Sequence, residues 1–495
     1  MRSFLAKIFA KWINYKNRKW INNPIDAQKK TLKKLIYKGK QTQFGKQHDF
    51  SRINTYQEFV QNVPVRDYEG LKIYIEKIIN GEDNVLWPGK PLYFSKTSGT
   101  TSGIKYIPIS RESMPTHINA SRDAILNHIH CTGESGFVNG KHIFLQGSPA
   151  LKKFNGILTG RLSGIVAHYV PKYLQRGNMP SWETNCIEDW EKKVDKIVEE
   201  TLDENMTIIG GIPPWVQMYF EKIISKKKLT VAQVFKNFSL FVYGGVNFEP
   251  YRNTFKKLIG KDINTLEFYP ASEGFFAYQN DQSDEGLLLV LNNGIFYEFI
   301  ETSKFLTKEQ KRVSLKDVEI GINYVMIISS NAGLWAYNVG DTVIFTSINP
   351  FKILVTGRLK HFISAFGEHV IGKEVEVALK KTITKTNVKV VEFTVAPQIS
   401  PKKGPPYHEW LIEFANPPKD IKIFSKELDD QLQIQNIYYK DLIKGKILKT
   451  LIITKIKKNG FKKYMSSLGK LGGQNKVPRL SNDRKIADAL ISINY

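Results

Sequence analysis

The sequence predicts an α/β protein in which a large N-terminal domain, with β-sheets flanked by helices, precedes a smaller C-terminal α+β domain. Three observations predict this class. The chain has 495 residues, more than one ordinary domain of about 100–200 residues holds. Short apolar runs that stop at Gly or Pro alternate with longer segments of helical spacing. Beyond residues 351–368 the pattern changes to helix, strand, strand and helix.

Composition places the chain among globular proteins. It is 42% hydrophobic and 12% aromatic, far from a disordered composition. The net charge of +25 invites a nucleic-acid or membrane function. The excess is mainly Lys, is spread along the chain, and accompanies abundant Ile and Asn, all of which have A/T-rich codons. We therefore attribute the charge to codon bias and expect no nucleic-acid partner.

Cysteine content and the N-terminus bear on compartment. Cys131 and Cys186 are the only cysteines and form no C-x-x-C pattern, which favours a reducing cytoplasm. Residues 1–20 form a basic amphipathic helix that lysines interrupt, unlike a signal peptide. This helix either packs on the domain, the interpretation we favour, or touches an anionic membrane surface. No window approaches the ~20 apolar residues of a membrane span. We expect a monomer or a weak dimer.

Elements follow in order along the chain. Residues 1–90 are mainly helical, with helices predicted over 24–39 and 68–81. Apolar runs at 142–147, 206–211, 240–245 and 265–270 are typical of buried parallel strands. Ligands of such sheets bind at the carboxyl ends of the strands, where the Gly-rich turns lie.

One stretch, "SKTSGTTSGIK" (residues 95–105), is typical of an anion-binding loop. Its glycines allow a tight turn with exposed N–H groups, its hydroxyls add donors, and Lys105 adds positive charge. It is not a Walker A loop, because Gly99 and Gly103 are too close and Lys105 does not follow Gly103 directly. By itself a polar hairpin turn is an equal alternative.

Three later stretches strengthen the phosphate interpretation. "FYPASEGFFAYQ" (268–279) puts Ser272 and Glu273 after a strand, where a carboxylate is either a helix cap or a Mg²⁺ ligand. "AYNVGDTVIF" (336–345) contains Asp341, which is either a turn residue or a ribose ligand. "VTGRLK" (355–360) places Arg358 at the change of pattern.

The order of these stretches is that of adenylate-forming enzymes. More closely, the chain resembles the GH3 family of acyl-acid amido synthetases, in its bacterial form, over essentially its whole length. The blocks that carry the resemblance are "NVLWP", "SGTTSGIKYIPIS", "GIPPWV", "YGGVNFEPY", "FYPASEGFFAYQ", "GRLKHFISAFGE", "YHEWLIEF" and "GKLGGQNKVPRLSNDR". One departure is Asn338, where members of the family often have Arg.

The resemblance implies an ATP- and Mg²⁺-dependent ligase that adenylates a carboxylic acid and passes the acyl group to an amine, typically an amino acid. It implies a large ATP- and acyl-binding domain at 1–356, a hinge at 357–361 and a small mobile domain at 362–495. A plant-hormone substrate does not follow from it.

The resemblance also assigns residues. Lys476, Glu273 and Lys105 are the implied catalytic residues, and Glu273 is also the implied metal ligand. Arg161, in "GILTGRLSG", is a candidate partner for the substrate carboxylate, with an ordinary surface arginine as the alternative. The implied nucleotide-binding residues are Ser98, Gly99, Thr100, Thr101, Gly103, Gly244, Gly245, Val246, Tyr269, Ala271, Ser272, Asp341 and Arg358.

Two other functions remain open at this point. In one, adenylation is kept and the acyl group goes to coenzyme A or another acceptor. In the other, the chain is a basic membrane- or nucleic-acid-associated binding protein with a decayed site. The second predicts broken motifs, whereas Glu273, Asp341, Arg358 and Lys476 are all present.

Overall fold

The structure is a computed structural model that describes residues 2–100, 103–170, 175–246, 248–284, 286–305, 307, 310–358, 362–363, 365–368, 370–468 and 477–494. The chain divides into two compact units. The larger comprises Met1–Thr97, Lys105–Ile187 and Lys193–Leu359, and the smaller comprises Ser98–Ile104, Glu188–Lys192 and Lys360–Tyr495.

The larger unit begins with helices, as predicted: α1 (Arg2–Ile21), α2 (Pro24–Gly39), α3 (Gln43–Gln47), α4 (Tyr56–Asn62) and α5 (Tyr68–Ile79). A buried glutamine fixes α2 to the sheet. Gln28 donates from Nε2 to the carbonyls of Leu291 (3.1 Å) and Ile295 (2.9 Å) and accepts from the Tyr297 amide at 2.8 Å. These bonds satisfy a polar side chain that would otherwise be costly to bury.

The remaining helices and strands that lie wholly or mostly in the larger unit alternate along the chain. They are β1 (Tyr93–Thr100), β2 (Gly103–Ile109), α6 (Met114–Thr132), β3 (Lys141–Leu145), β4 (Lys152–Phe154), β5 (Ile157–Gly160), α7 (Leu162–Ala167), β6 (Asn178–Met179), α8 (Trp182–Asn185), α9 (Trp190–Thr201), β7 (Met206–Gly211), α10 (Pro213–Lys227), α11 (Val231–Val234), β8 (Leu240–Gly244), α12 (Glu249–Ile259), β9 (Asn264–Ala271), β10 (Gly274–Gln279), β11 (Leu287–Leu289), β12 (Ile295–Glu301), β13 (Arg312–Ser314), β14 (Asn323–Ser330), β15 (Tyr337–Ile348) and β16 (Phe351–Arg358).

Within the described residues these strands form two sheets. The larger sheet has the order β13-β12-β14-β15-β16-β11-β10-β9-β8-β7-β3-β6. Strands β9, β8, β7, β3 and β6 pair in parallel, and the other pairs are antiparallel. The smaller sheet has the order β2-β1-β5-β4. The four predicted apolar runs lie on β3, β7, β8 and β9, so the parallel arrangement is confirmed.

The smaller unit contains β17 (Phe362–Ile363), β18 (Val370–Ile371), α13 (Gly372–Thr386), β19 (Lys389–Gln398), β20 (Tyr407–Asn416), α14 (Ile421–Gln435), α15 (Ile437–Lys444), β21 (Ile452–Ile456), α16 (Gly460–Ser467) and α17 (Lys485–Asn494). Strands β19 and β20 are antiparallel, and β21 runs parallel to β20. The predicted order of helix, strand, strand and helix corresponds to α13, β19, β20 and α14. The fold class predicted from the sequence is confirmed.

Helix α1 packs against α6, as the favoured interpretation of the N-terminus required. Its residues Ala10, Ile13 and Trp20 are buried. Among the helices in the described residues, none is both long enough and apolar enough to cross a membrane.

Candidate active site

The carboxyl ends of β8 and β9 form the floor of the site. Gly244 pairs with Phe268 across these strands. A Cβ on Gly244 would lie 2.3 Å from the Phe268 carbonyl oxygen, so the close approach of the two backbones requires glycine. Gly245 has φ +84° and is exposed beyond the strand end. Gly245 therefore lies exposed just beyond β8, in a backbone conformation that favours glycine.

Ser272 and Glu273 form the turn of a β-hairpin. They connect β9 to β10, and Ala271 pairs with Gly274. No helix follows, so Glu273 is not the helix cap considered from the sequence. The Oγ atoms of Ser272 and buried Ser95 are 2.8 Å apart and hydrogen-bonded, and the Tyr337 hydroxyl donates to Glu273 Oε1 at 3.5 Å. These bonds connect the turn to β1 and to β15.

Asp341 lies in the interior of a strand rather than in a loop. The pairing of β15 with β14 is irregular near it, and Gly340 has φ +87°. The Asp341 carboxylate is 6% exposed and accepts a hydrogen bond from the Tyr269 hydroxyl at 2.6 Å. Asp341 also pairs with Arg358, the last residue of β16. Two predicted nucleotide ligands, Tyr269 and Asp341, thus share one hydrogen bond.

The predicted phosphate loop is shorter than the sequence indicated. Ser98, Gly99 and Thr100 are the last residues of β1, and Gly103 is the first of β2. The backbone at residues 98–100 and 103 is thus extended, in two strands that are hydrogen-bonded neighbours in the smaller sheet. Thr101 lies outside the described residues.

Helix α5 supports the start of β2. The Tyr68 hydroxyl accepts a hydrogen bond from the Tyr106 amide at 2.9 Å, and the Lys105 ammonium lies 5.8 Å from the centre of the Tyr68 ring. Burial raises the pKa of Tyr68 to about 12, so this hydroxyl is neutral at physiological pH. The two contacts fix the direction of the strand that carries Lys105.

Arg161 follows β5 directly. Gly160, the last residue of β5, pairs with Ser95 of β1, the residue that is hydrogen-bonded to Ser272. Arg161 therefore follows directly after the residue that pairs with Ser95. A Cβ on Gly147 would lie 3.7 Å from Arg161 Nη1 and 3.9 Å from the Trp215 ring. The Arg161 guanidinium and the Trp215 indole therefore both lie close to Gly147, which has no side chain.

Lys476 and residues 359–361 of the predicted hinge lie outside the described residues. Val246 and Ala271 are half-buried beside the strand ends.

Sequence reasoning missed the roles of Ser95, Tyr68 and Tyr337. Ser95 opens the Gly-rich stretch and Tyr337 begins the Tyr-x-x-Gly-Asp pattern, so both had a signal in the sequence. Tyr68 had none, because α5 is distant in the chain from the strand that it supports.

The donor and acceptor set suits a phosphorylated ligand. Hydroxyls and backbone N–H groups bind phosphate oxygens, a lysine neutralises charge, and carboxylates accept from hydroxyls or bind a hard cation. In the part of the chain that the structure describes, no group of three or more His, Cys, Asp or Glu side chains is placed to hold a metal.

Curated relatives of similar length match most of the chain. It is 22% identical to the indole-3-acetic acid-amido synthetase GH3.3 of Arabidopsis thaliana over 94% of this chain and 91% of that protein. It is also 22% identical to the jasmonoyl–L-amino acid synthetase JAR4 of Nicotiana attenuata, over 76% of this chain and 77% of the relative.

Solved structures share the fold. The AtGH3.15 acyl acid amido synthetase in complex with 2,4-DB superimposes with a TM-score of 0.62 at 17% identity, covering 98% of this chain and 96% of that chain. A 2-hydroxyisobutyryl-CoA ligase in complex with 2-HIB-AMP and CoA gives 0.61 at 13% identity, covering 94% and 91%.

Three domains of one family match in order. Residues 16–175 match the GH3 family N-terminal domain, residues 288–358 its central domain and residues 373–485 its C-terminal domain. Together the matches cover more than half of the chain. The resemblance seen in the sequence motifs is thereby confirmed, and the chain belongs to the GH3 family.

Proposed function

We propose that this protein is an ATP-dependent acyl-acid amido synthetase, a carbon–nitrogen ligase that adenylates a carboxylic acid and transfers the acyl group to an amine, typically an amino acid. The observation that carries the proposal is the pair of hydrogen bonds Ser95–Ser272 and Tyr269–Asp341, which join separate stretches of the chain at the ends of β8 and β9. The names of the GH3.3 and JAR4 relatives support the same reaction class.

The first step needs little acid–base chemistry. A carboxylate oxygen attacks the α-phosphorus of ATP, the bond to the β-phosphate oxygen breaks, and pyrophosphate leaves. In the second step the amine nitrogen attacks the acyl carbon, the carbon–oxygen bond to AMP breaks, and the nitrogen loses a proton. Adenylation is needed because a free carboxylate has only oxide as a leaving group. Positioning and charge neutralisation therefore provide most of the catalysis in the first step.

The phosphate-binding residues of the proposal are Ser98, Gly99, Thr100, Thr101 and Gly103, together with Lys105 and Ser272. In this proposal their N–H and hydroxyl groups donate to phosphate oxygens, and the ammonium of Lys105 offsets the phosphate charge. Gly244, Gly245, Val246, Tyr269 and Ala271 line the adenine, whereas Asp341 accepts from the ribose hydroxyls and Arg358 contacts ribose or phosphate.

Glu273 is the proposed Mg²⁺ ligand. The donor set fits this ion, because Mg²⁺ typically takes one or two protein carboxylates and completes its shell with water and substrate phosphates. When bound, the ion neutralises phosphate charge. The Tyr337 hydroxyl, which donates to Glu273 Oε1, keeps the carboxylate turned toward β15.

Arg161 is the proposed partner of the substrate carboxylate. Its position after Gly160, beside the β1 residue that bonds Ser272, supports this assignment. In the C-terminal domain, proposed to span 362–495 beyond a hinge at 357–361, Lys476 neutralises the charge that develops during adenylation. The large domain of the proposal spans 1–356.

One observation favours coenzyme A as an alternative acceptor of the acyl group. The 2-hydroxyisobutyryl-CoA ligase shares the fold over 94% of this chain. Transfer to coenzyme A would keep the adenylation residues and change only the nucleophile of the second step.

The setting of the enzyme is also part of the proposal. We place it in the cytoplasm of a bacterium, as a monomer or weak dimer without a nucleic-acid partner. The high Lys content and the two unpaired cysteines, Cys131 and Cys186, are compatible with that setting.

The proposal is tested by pyrophosphate release from Mg-ATP with the purified protein. Pools of aromatic, fatty and hydroxy acids are supplied with and without mixed amino acids, and then with coenzyme A. Release that requires an acid supports adenylation, and stimulation by amino acids identifies amide synthesis, whereas stimulation only by coenzyme A identifies the thioester reaction. Absence of release from every pool, with no ATP binding by calorimetry, would favour the decayed-site hypothesis.

A further inference from the structure

Helix α1 has a second apolar face besides the one that packs on α6. On the inner face, Asn17 Nδ2 donates to Asp123 Oδ2 at 3.2 Å, and Trp20 Nε1 donates to Asn17 Oδ1 at 3.0 Å. Ala10 and Ile13 are buried beside them. These contacts hold α1 in one orientation and determine which side chains face solvent.

The outer side of α1 carries large apolar side chains, which we call the outer stripe: Phe4 (67% exposed), Leu5 (56%), Ile8 (51%), Phe9 (37%), Trp12 (55%) and Tyr15 (68%). Residues 4, 8, 12 and 15 fall on one helix face at 100° per residue, with 5 and 9 beside them. The rings of Phe9 and Trp12 stack at 5.7 Å. A contiguous exposed apolar patch of this kind marks an interaction surface.

Positive charge borders the outer stripe on both sides. The sequence of α1 contains no Asp or Glu. Exposed Lys7, Lys11 and Arg18 project along one edge of the stripe and exposed Arg2 along the other, whereas exposed Lys16 and Lys19 lie on the same face as the stripe, at its C-terminal end. The Lys16 ammonium lies 5.6 Å from the Trp12 ring centre, and the Arg122 guanidinium of α6 lies 5.9 Å from the Phe9 ring centre. The partner must therefore be apolar in the middle and anionic around it.

We propose that the outer stripe docks α1 flat on an anionic lipid surface. A bilayer interface presents acyl chains to the aromatic and aliphatic side chains and phosphate groups to the flanking lysines and arginines. Nucleic acid would satisfy the charges but leave the aliphatic side chains without an apolar partner. A second copy of this chain would bring two helices of the same sign together, which Coulomb repulsion disfavours. The proposal is independent of the ligase reaction.

The test is flotation of the full-length protein with phosphatidylcholine vesicles, with and without phosphatidylglycerol. We expect binding only when phosphatidylglycerol is present and weaker binding as salt rises. The double variant Ile8→Glu/Trp12→Glu should bind at least about tenfold more weakly, because it places two anions in the stripe. The matched control is Ile73→Glu on α5, where Ile73 is 60% exposed, and it should bind like the parent. All three proteins should melt alike, since the changed side chains are exposed.

Several results would overturn the proposal. Absence of binding, equal binding to neutral vesicles, or binding unaffected by Ile8→Glu/Trp12→Glu would each contradict it. A concentration-dependent dimer in sedimentation that this variant abolishes, without vesicle binding by the parent, would assign the stripe to a second copy of the chain. Salt-sensitive binding to duplex DNA that this variant abolishes, again without vesicle binding, would assign it to nucleic acid.

Discussion

Glu273 is the carboxylate in the turn between β9 and β10, with its Oε1 within 3.5 Å of the Tyr337 hydroxyl. Glu273→Ala should lower acid-dependent pyrophosphate release at least about hundredfold, since the proposed Mg²⁺ loses its protein ligand. Circular dichroism should be unchanged, because a two-residue turn tolerates alanine. The control is Glu221→Ala on the exposed surface of α10. Unchanged release by the Glu273 variant would remove it from the site.

Tyr269 connects the adenine side of the proposed site to Asp341 through one charged hydrogen bond of 2.6 Å. Tyr269→Phe keeps the ring and removes that bond, which is worth about 1.5–3 kcal/mol when one partner is ionised. We therefore expect the KM for ATP to rise about tenfold or more, with a smaller change in kcat. Tyr74→Phe, which removes a bond to Gln47 on α3, should leave both constants as they are. A variant with altered kcat alone would argue against a binding role for Asp341.

For single residues, the sequence indicated which side chains have a chemical role but not which hydrogen bonds orient them. Glu273, Asp341 and Arg358 were recognisable because short motifs carry them. The bonds that orient them join residues far apart in the chain, such as Ser95 and Ser272. Such pairs depend on strand order, which local patterns do not determine.

Strand β8 ends in a glycine that the packing requires. A Cβ on Gly244 would lie 2.3 Å from the backbone oxygen of Phe268, and a backbone atom cannot move aside as a flexible side chain can. Gly244→Ala should lower the free energy of unfolding by about 1–3 kcal/mol and also reduce turnover, because β8 and β9 must separate at the site. Gly136→Ala, where an added Cβ meets nothing within 4 Å, is the control for urea unfolding. Equal stability of the two variants would contradict the close approach.

Helix α6 makes the larger unit sensitive to acid. His117 and His128 are 4% and 2% exposed, and burial lowers the pKa of each to about 4 from an ordinary 6.5. The unfolded chain therefore takes up protons below pH 6.5 that the folded chain refuses until about pH 4. The free energy of unfolding is therefore highest above pH 6.5. It falls as the pH drops, by about 2 kcal/mol per histidine between pH 7 and pH 5.

A leucine substitution measures this effect. Within the described residues neither ring nitrogen of His128 has a hydrogen-bond partner, so His128→Leu should remove no hydrogen bond. The free energy of unfolding is measured with urea at pH 7 and at pH 5. The difference between the two values should be about 2 kcal/mol smaller in His128→Leu than in the parent. His130→Leu, on the exposed side of α6, should leave the difference unchanged. An unaltered pH dependence in His128→Leu would show that this histidine is protonated in the folded state.

Elements were predicted best where one pattern dominates. The runs on β3, β7, β8 and β9 are apolar and end at Gly or Pro, so their type and position were clear. The strand that contains Asp341 was missed as a strand because Gly340 and Asp341 are typical of a turn. Tertiary pairing with β14 and β16 keeps the segment extended despite that local preference.

At the scale of the whole molecule, the sequence predicted the fold class and the order of its parts. Length, the change of pattern near residue 360 and the family motifs were sufficient for that. For α1 the sequence left two alternatives, packing on the domain or contact with an anionic membrane surface, because the spacing of residues 4, 8, 12 and 15 suits either a packed or an exposed face. The register of α1 on α6, which the hydrogen bond from Asn17 to Asp123 fixes, determines which face is exposed.

The central claim is that a carboxylic acid is activated as an acyl-adenylate. It is tested most directly by supplying an acid that the pyrophosphate screen identifies, labelled with ¹⁸O in its carboxylate, and analysing the products by mass spectrometry. Attack of the carboxylate on the α-phosphorus leaves one labelled oxygen in AMP after the amine displaces it, and the account predicts that result. Label in inorganic phosphate, with ADP as the nucleotide product, would show activation at the γ-phosphate and contradict the account.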